Sequence, residues 1–357
     1  MMLTKFSPTR LLGMAFAFLQ RFQQRRIRTF SILFAVGLSL TLAVSACSPS
    51  ASENSGTPQT TQNPSGTTIR IGYQKASTVL YALKARGELE KAFATSGSSV
   101  IWAEFPAGPP MLEALNAGSI DFGYTGESPP IFAQAGGIPL VYVAYDPWSP
   151  KAEAILVPKD SPIKSVAELK GKKVAFSKGS NANYLLLKAL EKAGVQYSDI
   201  KRVTLTPADA RAVFERNNVD AWAIWDPYLA AAEAATGART LVDATGLAPN
   251  RGYYLAAKSF VDTKPDALKI ILDGVNQVSN WAKNNPTEVA KFLSPALGID
   301  PPVLEIAEKR REYDVLPLTD EVITKQQEVA DTFYKIKLIP KEIKIKEIVW
   351  QGKLNNS

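Results

Sequence analysis

Asn116-Ala117-Gly118-Ser119-Ile120-Asp121-Phe122-Gly123-Tyr124-Thr125-Gly126-Glu127-Ser128-Pro129-Pro130-Ile131-Phe132 is the stretch whose reading decides the fold. Ile120–Tyr124 can extend as a short buried strand, and Thr125–Ser128 then form a polar turn. Pro129 and Pro130 suit the first turn of a helix, where a missing N–H does no harm. Such a turn aims hydroxyls and free backbone N–H groups into the space beyond a strand end, a favourable place for an anion. Taken alone, the stretch is also compatible with an ordinary strand-to-helix connection capped by a serine.

The pattern has an echo further along the chain. Met111–Leu115 leads into Ile120-Asp121, the turn and a proline; Ala212–Glu215 leads into Val219–Ile224, then Trp225-Asp226 and Pro227. Upstream, Ile71–Lys75 precedes an Ala/Leu-rich segment, as Val174–Lys178 does. Pro106-Ala107-Gly108 opens one helix and Pro207-Ala208-Asp209 its counterpart. Landmarks repeated in one order at similar spacing predict two similar lobes.

The N-terminus has a different character. Residues 1–46 carry six basic residues and no acidic one; without them 35 basic residues face 34 acidic ones, and the formal charge falls from +7 to +1. The basic balance therefore belongs to the leader, and nucleic-acid binding is not expected. Arg21–Arg28 is a basic region, Phe30–Leu42 an apolar one, and Val44-Ser45-Ala46 precedes Cys47. This pattern reads as a secretory signal, here of bacterial lipoprotein type, with Cys47 lipidated. The apolar run is short for a comfortable transmembrane span. Translation from Met14 would give a more ordinary signal. Ser48–Thr68 is rich in Ser, Thr, Gly, Pro and Gln and predicts a flexible tether. Cys47 is the only cysteine, so no disulfide can form within the chain.

From Ile69 onward, strands alternate with helices. Ile69–Tyr73, Val100–Phe105, Leu140–Ala144 and Val174–Phe176 read as strands; Val79–Phe93, Met111–Asn116 and Tyr184–Ala193 read as helices. The alternation predicts an α/β fold with largely parallel sheets and ligands beyond the strand carboxyl ends. Tyr253–Ala257 reads as the strand that returns the chain to the first lobe, followed by helices near Pro265–Lys283, Pro286–Phe292, Pro302–Glu312 and Thr319–Tyr334. The expected organisation is a lipoprotein signal over residues 1–46, a lipidated Cys47 with a flexible linker over 47–68, a first lobe from 69–150 and 251–357, and a second from 151–250. Crossovers near Tyr145–Ala154 and Arg251–Ala257 would be the hinge.

Several motifs carry a family resemblance. Ile71-Gly72-Tyr73-Gln74-Lys75, Glu104-Phe105-Pro106-Ala107-Gly108-Pro109, Ala117–Gly123, Leu205–Arg211 and Val219–Tyr228 resemble the aliphatic sulfonate-binding proteins of ABC importers. The likeness runs from about Ile69 to Gln351. It implies a two-lobed periplasmic-binding-protein clamshell, type II-like, each lobe a mostly parallel sheet flanked by helices. It further implies sulfonate capture without catalysis or cofactor, and delivery to a permease and its ATPase, by a protein held at a membrane through its lipid. A monomer suffices for that task.

Residue by residue, the resemblance points to Gln74, Thr125, Gly126, Glu127, Ser180, Asn181, Asn183, Trp225 and Asp226 as ligand-binding positions. Gln74, Thr125, Ser180 and Asn181 would donate to the sulfonate, Trp225 would cover its tail, and Asp226 would tie the lobes or meet a polar end of the ligand. A sulfonate is a permanent anion with three acceptor oxygens, which helix N-termini and hydroxyls can meet. Trp102, Tyr124, Tyr228 and Tyr254 are further candidates for an aromatic wall. Lys75 and Lys178 stand close enough in sequence to assist. The chain departs from the family where Ser-Thr-Gly-Asp is common and Tyr124-Thr125-Gly126-Glu127 stands here. It departs again at Asn183, near a common histidine position in a chain that has no histidine.

Two other functions fit the residues. The same fold could hold taurine, a nitrate-like anion or a small heterocycle. An enzyme would have to use Glu127 and Asp226 as an acid–base pair, since the sequence offers no histidine, no evident nucleophile arrangement and no evident metal cluster.

Overall fold

The computed structural model describes residues 66–75 and 77–354. The expected signal segment, Cys47 and most of the expected tether lie outside these residues.

Two five-stranded sheets dominate the molecule. The first contains β1 (Thr68–Gln74), β2 (Ser99–Phe105), β3 (Phe122–Gly126), β4 (Leu140–Tyr145) and, from far along the chain, β10 (Gly252–Ala257), in the order β2-β1-β3-β10-β4. The second contains β5 (Glu153–Val157), β6 (Lys173–Phe176), β7 (Lys201–Thr204), β8 (Ala221–Trp225) and β9 (Arg239–Asp243), in the order β7-β6-β8-β5-β9. The two orders are the same once β6, β7, β8 and β9 are matched to β1, β2, β3 and β4. In each sheet four strands run one way, and the exception is the strand entering from the other lobe: β10 pairs antiparallel with β3 and β4, and β5 with β8 and β9. The motif echo in the sequence thus corresponds to a repeated topology, and the fold is a two-lobed α/β one.

The helices are α1 (Thr78–Arg86), α2 (Glu88–Ala94), α3 (Gly108–Asn116), α4 (Ser128–Ala135), α5 (Asn181–Lys192), α6 (Pro207–Glu215) and α7 (Tyr228–Thr236), then α8 (Lys258–Thr263), α9 (Pro265–Asn284), α10 (Pro286–Leu297), α11 (Pro301–Lys309) and α12 (Asp320–Lys335). Proline stands in the first turn of α3, α4, α6, α9, α10 and α11, where its fixed φ is helical and its missing N–H is not needed.

Two local expectations change. The single helix expected over Val79–Phe93 is two, because Gly87 adopts φ 63° and ends α1 by donating its N–H to the Lys84 carbonyl. β3 begins and ends later than Ile120–Tyr124, so Thr125 and Gly126 are strand residues and Glu127 alone turns the chain into α4. Asp121 instead ties the chain entering β3 to the neighbouring β1, accepting from the Arg70 backbone at 2.8 Å and pairing with its guanidinium at 2.6 Å. Ser165 precedes one turn of 3-10 helix, and its hydroxyl donates to the Glu168 carboxylate at 2.9 Å.

Apolar side chains fill both faces of the sheets. Ile69, Ile71, Phe122 and Tyr254 lie under α1 and α9, while Trp222 and Ile224 of β8, packed with Phe214 of α6, form the counterpart in the second lobe. Each large side chain so buried contributes roughly 1.5–3 kcal/mol. A third cluster spans the lobes: Phe333 of α12 packs against Phe132 of α4, ring centroids 4.8 Å apart, and Tyr184 of α5 at 5.6 Å.

The two crossovers run side by side. Ser149 N–H donates to the Asn250 carbonyl at 3.2 Å and Asp146 N–H to the Gly252 carbonyl at 3.1 Å. Gly252 N–H returns to the Asp146 carboxylate at 2.5 Å, and Asn250 Nδ2 to the Ser149 carbonyl at 2.8 Å. Arg251 lies with its guanidinium 4.7 Å from the Tyr145 ring centroid and 5.1 Å from that of Trp148.

Candidate functional site: the interlobe cavity

A cavity of about 90 Å³ lies between the strand ends of the two sheets. Three helix N-termini border it. Ser77, the residue before α1, and Gly108, the first residue of α3, come from the first lobe; Ser180 and Asn181, at the start of α5, come from the second. Free N–H groups and the positive end of the helix dipole therefore face one space from both sides. The start of α3 packs tightly against α4: a Cβ on Gly108 would lie 2.7 Å from Pro129 Cγ.

Gln74 lines the cavity at the end of β1, its amide held by a 3.0 Å bond to the Tyr124 carbonyl. Ser180 caps α5, accepting from Asn183 N–H at 3.3 Å while donating to the Ser177 carbonyl at 2.6 Å. Asn181 bridges the lobes. Its Oδ1 accepts from Ser128 N–H at 3.3 Å, and its Nδ2 donates to the Glu127 carboxylate and, at 3.2 Å, to Asn250 Oδ1. Trp225, half-buried at the end of β8, provides an apolar wall with Tyr228 edge-on to it. Gly126, Tyr124 and Asp146 also line it from the first lobe, so Tyr124 takes its expected place in the aromatic wall.

The remaining expected positions lie behind this lining. Thr125 is fully buried, with its hydroxyl donating to the Gly126 carbonyl at 2.8 Å. Asn183 sits inside α5, accepting from Gly179 N–H at 3.1 Å and donating to the Tyr197 hydroxyl at 3.0 Å. Tyr254 is buried against Phe122 and Tyr124. Asp226 accepts from Ala230 N–H at 3.0 Å in the first turn of α7 and lies 3.5 Å from Arg310. It joins the start of α7 to the end of α11, helices on opposite sides of the expected lobe boundary at residue 251. Glu127 is wholly buried, bonded to Asn181 and to Arg251 N–H at 3.2 Å. Neither Glu127 nor Asp226 lines the cavity, so the acid–base pairing has no shared reaction space. Trp102 is also elsewhere, its indole N–H donating to Glu90 at 2.7 Å, and Lys75 and Lys178 are exposed away from the lining.

Two cations in the lining were not anticipated: Arg251 and Arg311. Arg311 Nη2 donates to the Asp226 carbonyl at 2.5 Å. Burial works against its charge, but Tyr313, Glu308, Tyr124 and Asp226 outweigh that, and its pKa stands above the ordinary value. Arg311 lies between α11 and α12, far in sequence from every repeated motif; no local pattern marks it. Arg251 could have been suspected as the one charged residue where the return crossover enters β10.

The carboxylates around the cavity share one feature. Burial raises Asp146 to about 6 against the hydrogen bonds from Tyr124 and Gly252. It raises Asp226 to about 6 despite Arg310. It raises Glu127 to about 8 despite the backbone donors and Arg251.

Residues 101–289 match the family model described as NMT1/THI5 like. A "Putative aliphatic sulfonates-binding protein" of Escherichia coli is 46% identical over 284 residues, covering 79% of this chain and 88% of that protein. The chain belongs to the aliphatic sulfonate-binding protein family. A second family member, from Bacillus subtilis, is 37% identical over 79% of this chain and 85% of its own length. The alkanesulfonate-binding protein SsuA from Xanthomonas axonopodis pv. citri, solved bound to MOPS, superposes with a TM-score of 0.76 at 42% identity, covering 79% of this chain and 98% of that one.

Proposed function

We propose that this protein is the extracytoplasmic substrate-binding lipoprotein of an ABC importer, capturing an aliphatic sulfonate between its lobes and passing it to the permease and its ATPase for sulfur acquisition. The observation that carries this reading is the convergence of helix N-termini from both lobes, with Arg311, on one cavity walled by Trp225. Charge and N–H donors suit a three-oxygen anion, and the indole suits an organic tail.

In this reading Gln74, Gly126, Ser180, Asn181 and Trp225 touch the ligand. Thr125, Glu127, Asn183, Asp226 and Tyr254 hold those residues in place from behind. The first lobe is 69–150 with 251–357, the second 151–250, and they close about the crossovers. The protein acts as a monomer, without catalysis and without a cofactor. Residues 1–46 are a lipoprotein signal, and Cys47 carries a lipid that holds the body at the periplasmic face of a bacterial membrane through the linker 47–68.

Calorimetry with a series of alkanesulfonates, taurine, sulfate and nitrate tests the reading. Binding of at least one alkanesulfonate more tightly than sulfate or nitrate supports it, and binding of none ends it. Release of a Cys47→Ser variant from the membrane fraction, with the parent retained there, tests the anchor.

A further inference from the structure

Behind the cavity two carboxylates meet with too few partners. Glu127 follows β3 of the first sheet, and Glu153 is the first residue of β5 in the second. Both are completely buried. Glu127 Oε1 and both Glu153 oxygens are without a hydrogen-bond partner. Glu153 stands opposite Trp225 in the β5–β8 ladder, so its side chain lies on the cavity side of that pair. An ionised carboxylate buried without donors is costly, whereas a protonated one is both neutral and a donor.

We propose that Glu127 and Glu153 form a proton-binding site between the lobes, filled when the cleft is shut and emptied when it opens. Opening draws Asn181 of α5 away from Glu127 and admits water beside both groups at the crossovers, which restores ordinary acidity to them. Closure then takes up protons from solvent, and ligand capture, on the function proposed above, becomes linked to proton uptake.

The surroundings of the pair support this assignment. Asn181 donates to Glu127 from α5, and Arg251 N–H donates from the return crossover. The Arg251 guanidinium favours the ionised form of Glu127, while Asp146, just after β4, opposes it. Tyr142 of β4, Tyr184 of α5 and Tyr253 of β10 are near enough to feel the Glu127 charge, and all three have hydroxyls held neutral by burial. From α12, Gln326 donates to the Glu127 carbonyl at 2.6 Å and leaves the carboxylate alone. Glu153 feels one charge, that of Glu127, and burial and this repulsion both push its proton affinity up.

Two ligand-free measurements test the site on the intact mature chain. Infrared spectra across a pH series should show a protonated carboxyl C=O band that weakens as pH rises through about 8, where Glu127 ionises, and that is reduced at every pH in Glu153→Gln. Scattering should show the radius of gyration growing over the same range in the parent but not in Glu153→Gln, whose neutral amide stands in for the protonated acid. Glu127→Gln is the second variant if the first fails to fold. The proposal is overturned by a parent with no such band, or by a radius that follows pH identically in parent and variant. Because neither readout uses a ligand, a failure of the sulfonate calorimetry leaves this test intact, and the reverse holds too.

Discussion

Gly126 and Asn181 approach so closely across the cleft that no side chain fits between them: a Cβ on Gly126 would lie 2.1 Å from the Asn181 amide. Asn181 cannot simply swing aside, since its amide is bonded to Glu127, Ser128 N–H and Asn250. In Gly126→Ala the added methyl must part the lobes. The expected result is a fall in sulfonate affinity of at least about tenfold, roughly 1.4 kcal/mol, with a larger radius by scattering. Unchanged affinity would mean that closure does not bring these residues together in solution.

Trp225 and Tyr124 are half-buried aromatics of the cavity wall, and the neighbours of Trp225 in β8 are fully buried. Trp225→Ala should therefore weaken binding of organic sulfonates by about 1–3 kcal/mol while changing the thermal midpoint little. Loss should be larger for longer alkyl tails. Equal loss for every tail length in calorimetry would show that the indole does not cover the tail.

Asp226 and Arg310 form a test of stability rather than binding. Arg310 also pairs with Glu233 at 2.7 Å, so its removal takes that cation from Glu233 and from the fully buried Asp226, which keeps only the weaker influence of Arg311. Arg310→Ala should destabilise by about 3 kcal/mol in denaturant titrations. Adding Asp226→Asn should recover part of that loss; an additive further loss would show that the pair is not coupled.

The buried carboxylates set the pH dependence of stability. Glu127 is raised from 4.5 to about 8, and Asp146 and Asp226 from 3.8 to about 6. The native state thus binds more protons than the unfolded chain in this window, and stability falls as pH rises. The stabilising contribution is present in full below the ordinary carboxylate range and is lost as pH passes through about 6 and then about 8. Melting temperature should be lower by roughly 5 °C at about pH 9 than at about pH 5, measured by differential scanning calorimetry. A melting temperature that rises across this range would refute the assignment.

Much of this architecture could be read from residue order alone. Alternating strands and helices, a repeated Pro-containing turn and a hydrophobic return segment at Tyr253–Ala257 carry local signals. What they could not show is which residues of a turn face the cleft. Thr125 and Gly126 are neighbours in β3, and strand alternation sends the Thr125 side chain inward while Gly126 reaches the cavity. Ser180 and Asn181 were legible as a helix start, but Asn183 lies a turn further on and faces Tyr197. Arg311 was illegible for another reason: it reaches the cavity through a contact with Asp226 that spans 85 positions. Such a contact leaves no periodic trace.

The exchange of one strand between the sheets has a consequence for how the chain is made. β10 occupies the gap between β3 and β4 and emerges only after every strand of the second sheet. Until about residue 257 has left the ribosome, β3 and β4 have no backbone partner between them, and the early half of the protein is an unfinished ladder with open edges. The second sheet, whose own strands form one continuous segment, can finish first. Order of synthesis and order of completion are therefore reversed: the half that is translated first is the last to close.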